Sequence, residues 1–497
     1  MDEGEALARL RDKKLLIAPD ALAHLLEHQN SGQVLEKILE NPAGLVVTMQ
    51  RVEEVAEDLA GLQKTVQVVV HQQEKFRPPA RDIESRLKFT GKTDVSGKSR
   101  CTGTVDDFVQ YFRSRFEKTS KLLKGRMTEN QIVTASKVGS ETGKKTLRVL
   151  GMVVDRRTTK NGHILIEIED TEGTLACLVP RDAPEALKQA ASEVLHDEVL
   201  AFDGYASGGS LFIVKDILWP DVPFREKKLV DDDANIAFIS DVHVGSKYFL
   251  QEQFGSFLKF LNGESERPEH VEIAGKIKYL FVAGDNVDGI GVYPSQEREL
   301  VTKDIYTQYE IFADFMKNVP DYIEIVIGPG NHDAVRTAQP SPRIPVECTF
   351  ELEQYKNVHF VGSPAYFEAH GLRTLMYHGD SFHAIASSLQ KLSGCFTNPE
   401  KAAVEMLKRR NLSPTYGENP IIPEHNDYLF IEEAPDLFHF GHVHHNGYTN
   451  YRGTTIVNSG TWQDTTDYQL KQGHIPTPCQ LPVYNIKSGA LSVVSFR

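Results

Sequence analysis

The sequence predicts a multidomain α+β protein, and three observations predict it. The 497 residues allow about three domains of roughly 150 residues each. Apolar residues recur at helical spacing near the N-terminus and alternate in short strands through the middle of the chain. In the C-terminal half, apolar strands alternate with helical stretches, the pattern of a layered α/β sandwich. Hydrophobic residues at 40% supply a core and charged residues at 25% sit at the globular average, which excludes a disordered or fibrous chain.

Residues 1–73 read as a small helical domain. Asp20 caps a helix over 21–28, a second covers 32–40 with Val34, Leu35 and Ile38 on one face, and a third covers 49–62. Residues 74–105 read as a flexible linker, with Pro78-Pro79, several Gly and Ser, and 8 basic residues against 4 acidic ones. Residues 106–140 open with an amphipathic helix over 106–124. Phe108, Phe112, Phe116 and Leu123 form its stripe, while Arg113, Arg115, Lys118 and Lys121 form a basic set that faces solvent or phosphate.

Residues 141–222 carry strands at 147–155, 163–170 and 174–179, a helix at 183–194, then strands at 198–205 and 211–218. Three strands, a helix and two strands is the order of an OB-fold barrel. Such barrels bind single strands or dock proteins. Exposed aromatics for stacking are not obvious in this one. Residues 223–497 place apolar strands at 236–240, 279–283, 323–328, 372–377, 437–440 and 454–458.

Metal-binding residue types follow five of those strands: Asp241-Val242-His243, Gly284-Asp285-Asn286, Gly330-Asn331-His332-Asp333, His378-Gly379-Asp380 and Gly441-His442-Val443-His444. Loops at strand ends are where a rigid scaffold presents reactive groups. In D-x-H and H-x-H, residues i and i+2 of an extended segment point the same way, so both reach one centre. The adjacent glycines (Gly284, Gly330, Gly379, Gly441) allow close backbone approach. Carboxylate, imidazole and amide oxygen suit Mn²⁺, Mg²⁺, Fe or Zn better than a thiolate-bound metal. A pair of such ions clamps a phosphate and acidifies water, and Asp285 is the natural bridging carboxylate.

D-x-H, G-D-x-x-D, G-N-H-D, H-G and G-H-x-H in this order resemble the calcineurin-like (Mre11-like) metallophosphoesterases over about residues 235–459. The resemblance implies that Asp241, His243, Asp285 and His444 hold one ion, and that Asp285, Asn331, His378 and His442 hold the other. It implies His332 as the catalytic imidazole and Asp333 as the residue that orients it. The stretch 284–294, Gly-Asp-Asn-Val-Asp-Gly-Ile-Gly-Val-Tyr-Pro, resembles a segment shared by B-subunits of replicative polymerases. The segments 329–336 and 377–382 resemble the small subunits of archaeal family D DNA polymerases. One departure is His383-Ala384, where that family usually has two aspartates.

The resemblance implies a two-metal 3′→5′ exonuclease (proofreading) subunit, with Mn²⁺ as the first expectation and Mg²⁺ as the alternative. The partners it implies are a large catalytic polymerase subunit and DNA, as single-stranded 3′ ends or mismatched primer termini. The sliding clamp is a further implied partner. A non-catalytic subunit that only docks the polymerase is the competing reading. The net charge of −14 leaves most of the grip on DNA to the partner. Cys101, Cys177, Cys348, Cys395 and Cys479 form no CxxC pair, which is cytosolic usage. No run of about 18 apolar residues spans a bilayer, and residues 1–9 do not read as a secretory signal.

Overall fold

The computed structural model describes residues 1–28, 30–42, 44–64, 76–91, 93–125, 131–141, 145–208 and 211–497. The chain forms two units, Met1–Lys75 and Phe76–Arg497. The first contains α1 (Glu3–Asp12), β1 (Leu16–Ile17), α2 (Pro19–Glu27), α3 (Ser31–Glu40), β2 (Val46–Val47) and α4 (Met49–Lys64). Leu25, Val34, Leu35, Ile38, Val52 and Val55 make its core. Helix α1 was not expected: it buries only Ala6 and Leu10, too sparse a stripe to stand out among its charges. Helix α2 begins at Pro19, so Asp20 sits inside the first turn instead of capping it.

The second unit opens with a departure from expectation. Among the described residues of 76–105, the segment is laid against the C-terminal domain and is not a free linker. Strand β3 (Leu87–Phe89) pairs antiparallel with Ala365–Ala369 and extends a sheet by one strand. Asp94 accepts from the Gly362 amide at 2.8 Å, and Glu424 accepts from the Arg100 amide at 2.9 Å. Its polar composition serves these contacts as well as it would serve solvent.

Helix α5 (Val105–Lys124) starts with a capping box between Thr104 and Asp107. Its aromatic stripe packs: Phe108 and Phe112 each lie 5.6 Å from the Tyr416 ring. Arg115 is neither on a solvated face nor free for phosphate. It is 2% exposed, with Nε donating to Asp427 at 2.8 Å and a terminal nitrogen donating to Tyr111 Oη at 2.7 Å.

Strands β4 (Gln131–Val133), β5 (Leu147–Thr158), β6 (Ile164–Glu169) and β7 (Thr174–Val179) precede α6 (Glu185–Ser192), β8 (Val199–Ala206) and β9 (Leu211–Leu218). The order β5-β6-β7-β9-β8, closed by β5 pairing with β8, is a five-stranded OB-like barrel. Its Phe202 and Phe212 are fully buried. Arg409, from the domain that follows, reaches Glu198 of the barrel at 2.5 Å, and Lys391 reaches Glu193 at 2.7 Å.

The C-terminal domain is a pair of six-stranded sheets between helical layers. Its elements run β10 (Asn235–Ile239), α7 (Gln251–Leu261), α8 (Pro268–Gly275), β11 (Ile277–Ala283), α9 (Ile305–Met316), β12 (Glu324–Gly328), α10 (Val346–Glu353) and β13 (Val358–Phe360). They continue with β14 (Ala365–Ala369), β15 (Leu372–Met376), α11 (Phe382–Ser388), α12 (Glu400–Arg409), β16 (Leu437–Phe440), β17 (Asn446–Tyr451), β18 (Thr454–Ser459), α13 (Asp467–Gln472), β19 (Gln480–Asn485) and β20 (Leu491–Ser495). The sheets have orders β13-β12-β11-β10-β19-β20 and β17-β18-β16-β15-β14-β3. Phe238 and Phe281 of one meet Phe367 and Met376 of the other in a shared core. Helices α7 to α10 cover the outer face of the first sheet, and α11 and α12 that of the second. Strands β10, β11 and β12 run parallel, as do β15, β16 and β18. Their C-terminal ends therefore open along one edge of the sandwich. No described helix is long and apolar enough to cross a membrane.

Candidate metal centre

The five motifs converge at that edge. Asp241, His243 and His444 form one group of potential ligands, and Asp285, His378 and His442 form a second. His243 Nε2 lies 3.0 Å from His444 Nε2. Asn331 Oδ1 lies 3.1 Å from His378 Nε2 and 3.0 Å from His442 Nδ1. Asp285 stands between the groups: its Oδ2 is 3.7 Å from His243 Nε2 and 3.3 Å from His378 Nε2. All seven residues expected to bind metal are thus in one place.

Local backbone conformation aims them. Asp241, His243, Asp285, His442 and His444 have φ of 53°, 54°, 51°, 69° and 58°. Left-handed backbone at a non-glycine residue costs of order 1–3 kcal/mol and persists only where the surroundings hold it. The convergence therefore does not arise from extended i, i+2 geometry. His442 and His444 in fact face different groups, one each. A Cβ on Gly330 would overlap Asp285 Oδ1, so close approach of the 329–333 loop requires glycine.

Hydrogen bonds orient the rings. His378 Nδ1 donates to the Ala283 carbonyl at 2.7 Å, and His243 Nδ1 donates to Asp288 Oδ1 at 3.0 Å. Each bond turns the ring's Nε2 toward the centre. The Gln469 amide lies 2.7 Å from His444 Nδ1. His332 Nδ1 donates to the Asp288 carbonyl at 2.7 Å, and its backbone amide donates to Asp285 Oδ1 at 2.8 Å.

Asp333 does not take the place expected of it. Its carboxylate accepts from Tyr309 Oη at 2.9 Å, the Gly330 amide at 2.8 Å and Asn286 Nδ2 at 3.0 Å. It braces the loop, while the Asp288 carbonyl orients His332. Burial, with Asp285 nearby, pushes the Asp333 carboxyl up to about 6.

Burial alone would disfavour charge on Asp285, but His378, His332 and His243 outweigh it and hold its carboxyl well below the usual range. Burial pushes His243 and His442 down, so both rings favour the neutral, lone-pair-bearing form. His378 is also buried, yet Asp285 and Asp241 raise it well above an ordinary histidine. A cation taking His378 Nε2 must therefore displace a proton. Facing imidazole nitrogens at 3.0 Å with ionised carboxylates beside them fit hard or borderline divalent cations.

The centre floors a cleft of about 540 Å³. Tyr293 and His332 stand on one side, with rings 6.1 Å apart. His383, Phe396 and His474 also line it. His383 is the position where the motif pattern departs, and neither Phe396 nor His474 lies in a motif. Sequence reading also missed Gln469, which sits on α13, and Gln463, which donates to Asp288 Oδ1 at 3.1 Å. His445 lies outward, against the Asn446 carbonyl at 2.9 Å.

The C-terminal domain has the metallophosphoesterase fold, and the calcineurin-like phosphoesterase family model matches residues 234–476. Such domains generally bind divalent metals. The DNA polymerase II small subunit of Methanocaldococcus jannaschii is 42% identical over 409 residues, covering 82% of this chain and 68% of that one. That of Archaeoglobus fulgidus is 39% identical over 446 residues, covering 89% and 87%. That of Methanothermobacter thermautotrophicus is 38% identical over 422 residues, covering 84% of each. The chain belongs to the family of DNA polymerase II small subunits.

Proposed function

We propose that this chain carries a two-metal 3′→5′ exonuclease activity that removes nucleotides from single-stranded or mismatched 3′ ends. The observation that carries this reading is the placement of Asp285 Oδ2 within 3.7 Å of His243 Nε2 and 3.3 Å of His378 Nε2, where one carboxylate can serve two cations. Asp241, His243, Asp285 and His444 would hold the first ion, and Asp285, Asn331, His378 and His442 the second. Mn²⁺ is the first candidate and Mg²⁺ the alternative. When bound, such ions offset the negative charge that builds on phosphorus and its oxygens.

Water attacks the terminal phosphodiester in line, the bond to the 3′ oxygen breaks, and a nucleoside 5′-monophosphate leaves. With Nδ1–H held by the Asp288 carbonyl, the doubly protonated His332 ring would give its Nε2 proton to the departing 3′ oxygen, while the attacking water loses its proton to solvent. Asp333 acts one step back, by keeping the 330–333 loop in shape. The family's name implies a large polymerase subunit as partner, and with a net charge of −14 that partner supplies most of the hold on DNA. A sliding-clamp contact and a cytoplasmic location go with the same reading.

Incubating the full chain with a 5′-labelled single-stranded oligonucleotide and Mn²⁺ tests it. A ladder shortening from the 3′ end is expected, and it should vanish with a chelator. An intact oligonucleotide under all divalent cations would overturn the activity and leave an architectural subunit.

A further inference from the structure

Three rings from separate segments meet at the cleft wall: His383 at the start of α11, Phe396 in the turn after it, and His474 just past α13. The His383 and His474 planes lie within 11° of parallel at 5.9 Å, and the Phe396 ring is 4.4 Å from His474. The wall adjoins the metal centre directly, with the His383 ring 5.4 Å from that of His442. All three rings retain exposed surface. Leu470 and Ile475, near His474 in the sequence, are 65% and 74% exposed. Among the described residues, no Lys or Arg lines this cleft. With no lysine or arginine along the cleft to hold phosphates away from the centre, ring faces are what this wall offers a strand.

We propose that His383, Phe396 and His474 form a stacking wall that takes the terminal base of the strand. The inference rests on the exonuclease reading and narrows its substrate to ends whose last base is free. A base lying on this wall cannot remain paired, so a matched primer terminus must first open. Stacking accepts any base, because each offers a π face. Phe396 also packs against Phe382 at 5.6 Å, which anchors the wall to the domain core.

Two measurements on the full chain test this. The first compares cleavage of two oligonucleotides that differ only in whether the 3′-terminal nucleotide carries a base. Wild type should prefer the base-bearing end by about 10-fold in kcat/KM, within the range of one base–aromatic stack. Phe396→Leu and His474→Ala should bring that ratio toward one, and Phe396→Trp should restore it. The second reads fluorescence of a 3′-terminal 2-aminopurine on binding in Ca²⁺ buffer, with no turnover needed. Quenching by wild type that is lost in the Leu and Ala variants supports the wall. Equal rates on both ends in wild type, or an unchanged ratio in both variants, would overturn it. If wild type cleaves neither substrate, the exonuclease reading fails by itself, and the quenching result still decides the wall.

Discussion

Asp288 holds two histidines at once: its carboxylate lies 3.0 Å from His243 Nδ1, and its main-chain carbonyl accepts from His332 Nδ1 at 2.7 Å. Side chain and backbone thus serve different rings. Gln296 Nε2 donates to the same carboxylate at 3.1 Å, so the brace is itself braced.

Asp288→Asn should therefore weaken metal binding about 10- to 100-fold, the usual effect of losing the carboxylate behind a ligating imidazole. The His332 contact, being to backbone, should survive. Titration calorimetry with Mn²⁺ checks the first statement, and an unchanged affinity would mean that the carboxylate does not orient His243.

His332→Ala should lower cleavage by about 10²- to 10⁴-fold, the range for loss of a general acid. Metal content, measured by atomic emission on the dialysed protein, should stay at the wild-type value. Retained activity would show that another group protonates the leaving oxygen.

Arg115→Met should destabilise the full chain by about 3–5 kcal/mol, because it leaves Asp427 charged and buried without its partner. Replacing both, as Arg115→Met with Asp427→Leu, should recover part of that loss. Thermal melting of the three proteins decides, and a single variant that melts like wild type would remove α5 from the stability of the domain.

His439 is fully buried, and burial lowers its pKa to about 3 from the ordinary 6.5. Below pH 6.5 the unfolded chain takes up a proton that the native ring refuses. The stability held at neutral pH is therefore lost as pH falls from 6.5 toward 3, at up to about 1.4 kcal/mol per pH unit. His439→Gln keeps a polar group near Ser459 but cannot titrate. Its melting temperature should decline less than that of wild type between about pH 7 and 5, and parallel declines would refute the assignment.

Strand-end loops with short polar motifs are legible in a linear chain because their pattern is local. A short continuous apolar run at 279–283 places Tyr279 and Phe281 in a strand, and the G-D that follows sets Asp285 at its mouth. The barrel was equally readable, since strand, turn and helix signals each span only a few residues. The failures were of a different kind. Residues 87–89 look like linker because nothing beside them shows the sheet edge at Ala365–Ala369 that they complete. Arg115 reads as a surface cation because its acceptor, Asp427, is far along the sequence.

What the sequence by itself determined is which residues are available for chemistry and which elements carry them. Only the tertiary structure decided that left-handed backbone and not extended i, i+2 geometry aims the ligands, that a backbone carbonyl and not Asp333 steers His332, and that His383, Phe396 and His474 share a wall. The reason is physical. Periodicity and turn chemistry report the few nearest residues, whereas ring orientation and side-chain clustering depend on contacts closed when distant loops pack along one sheet edge.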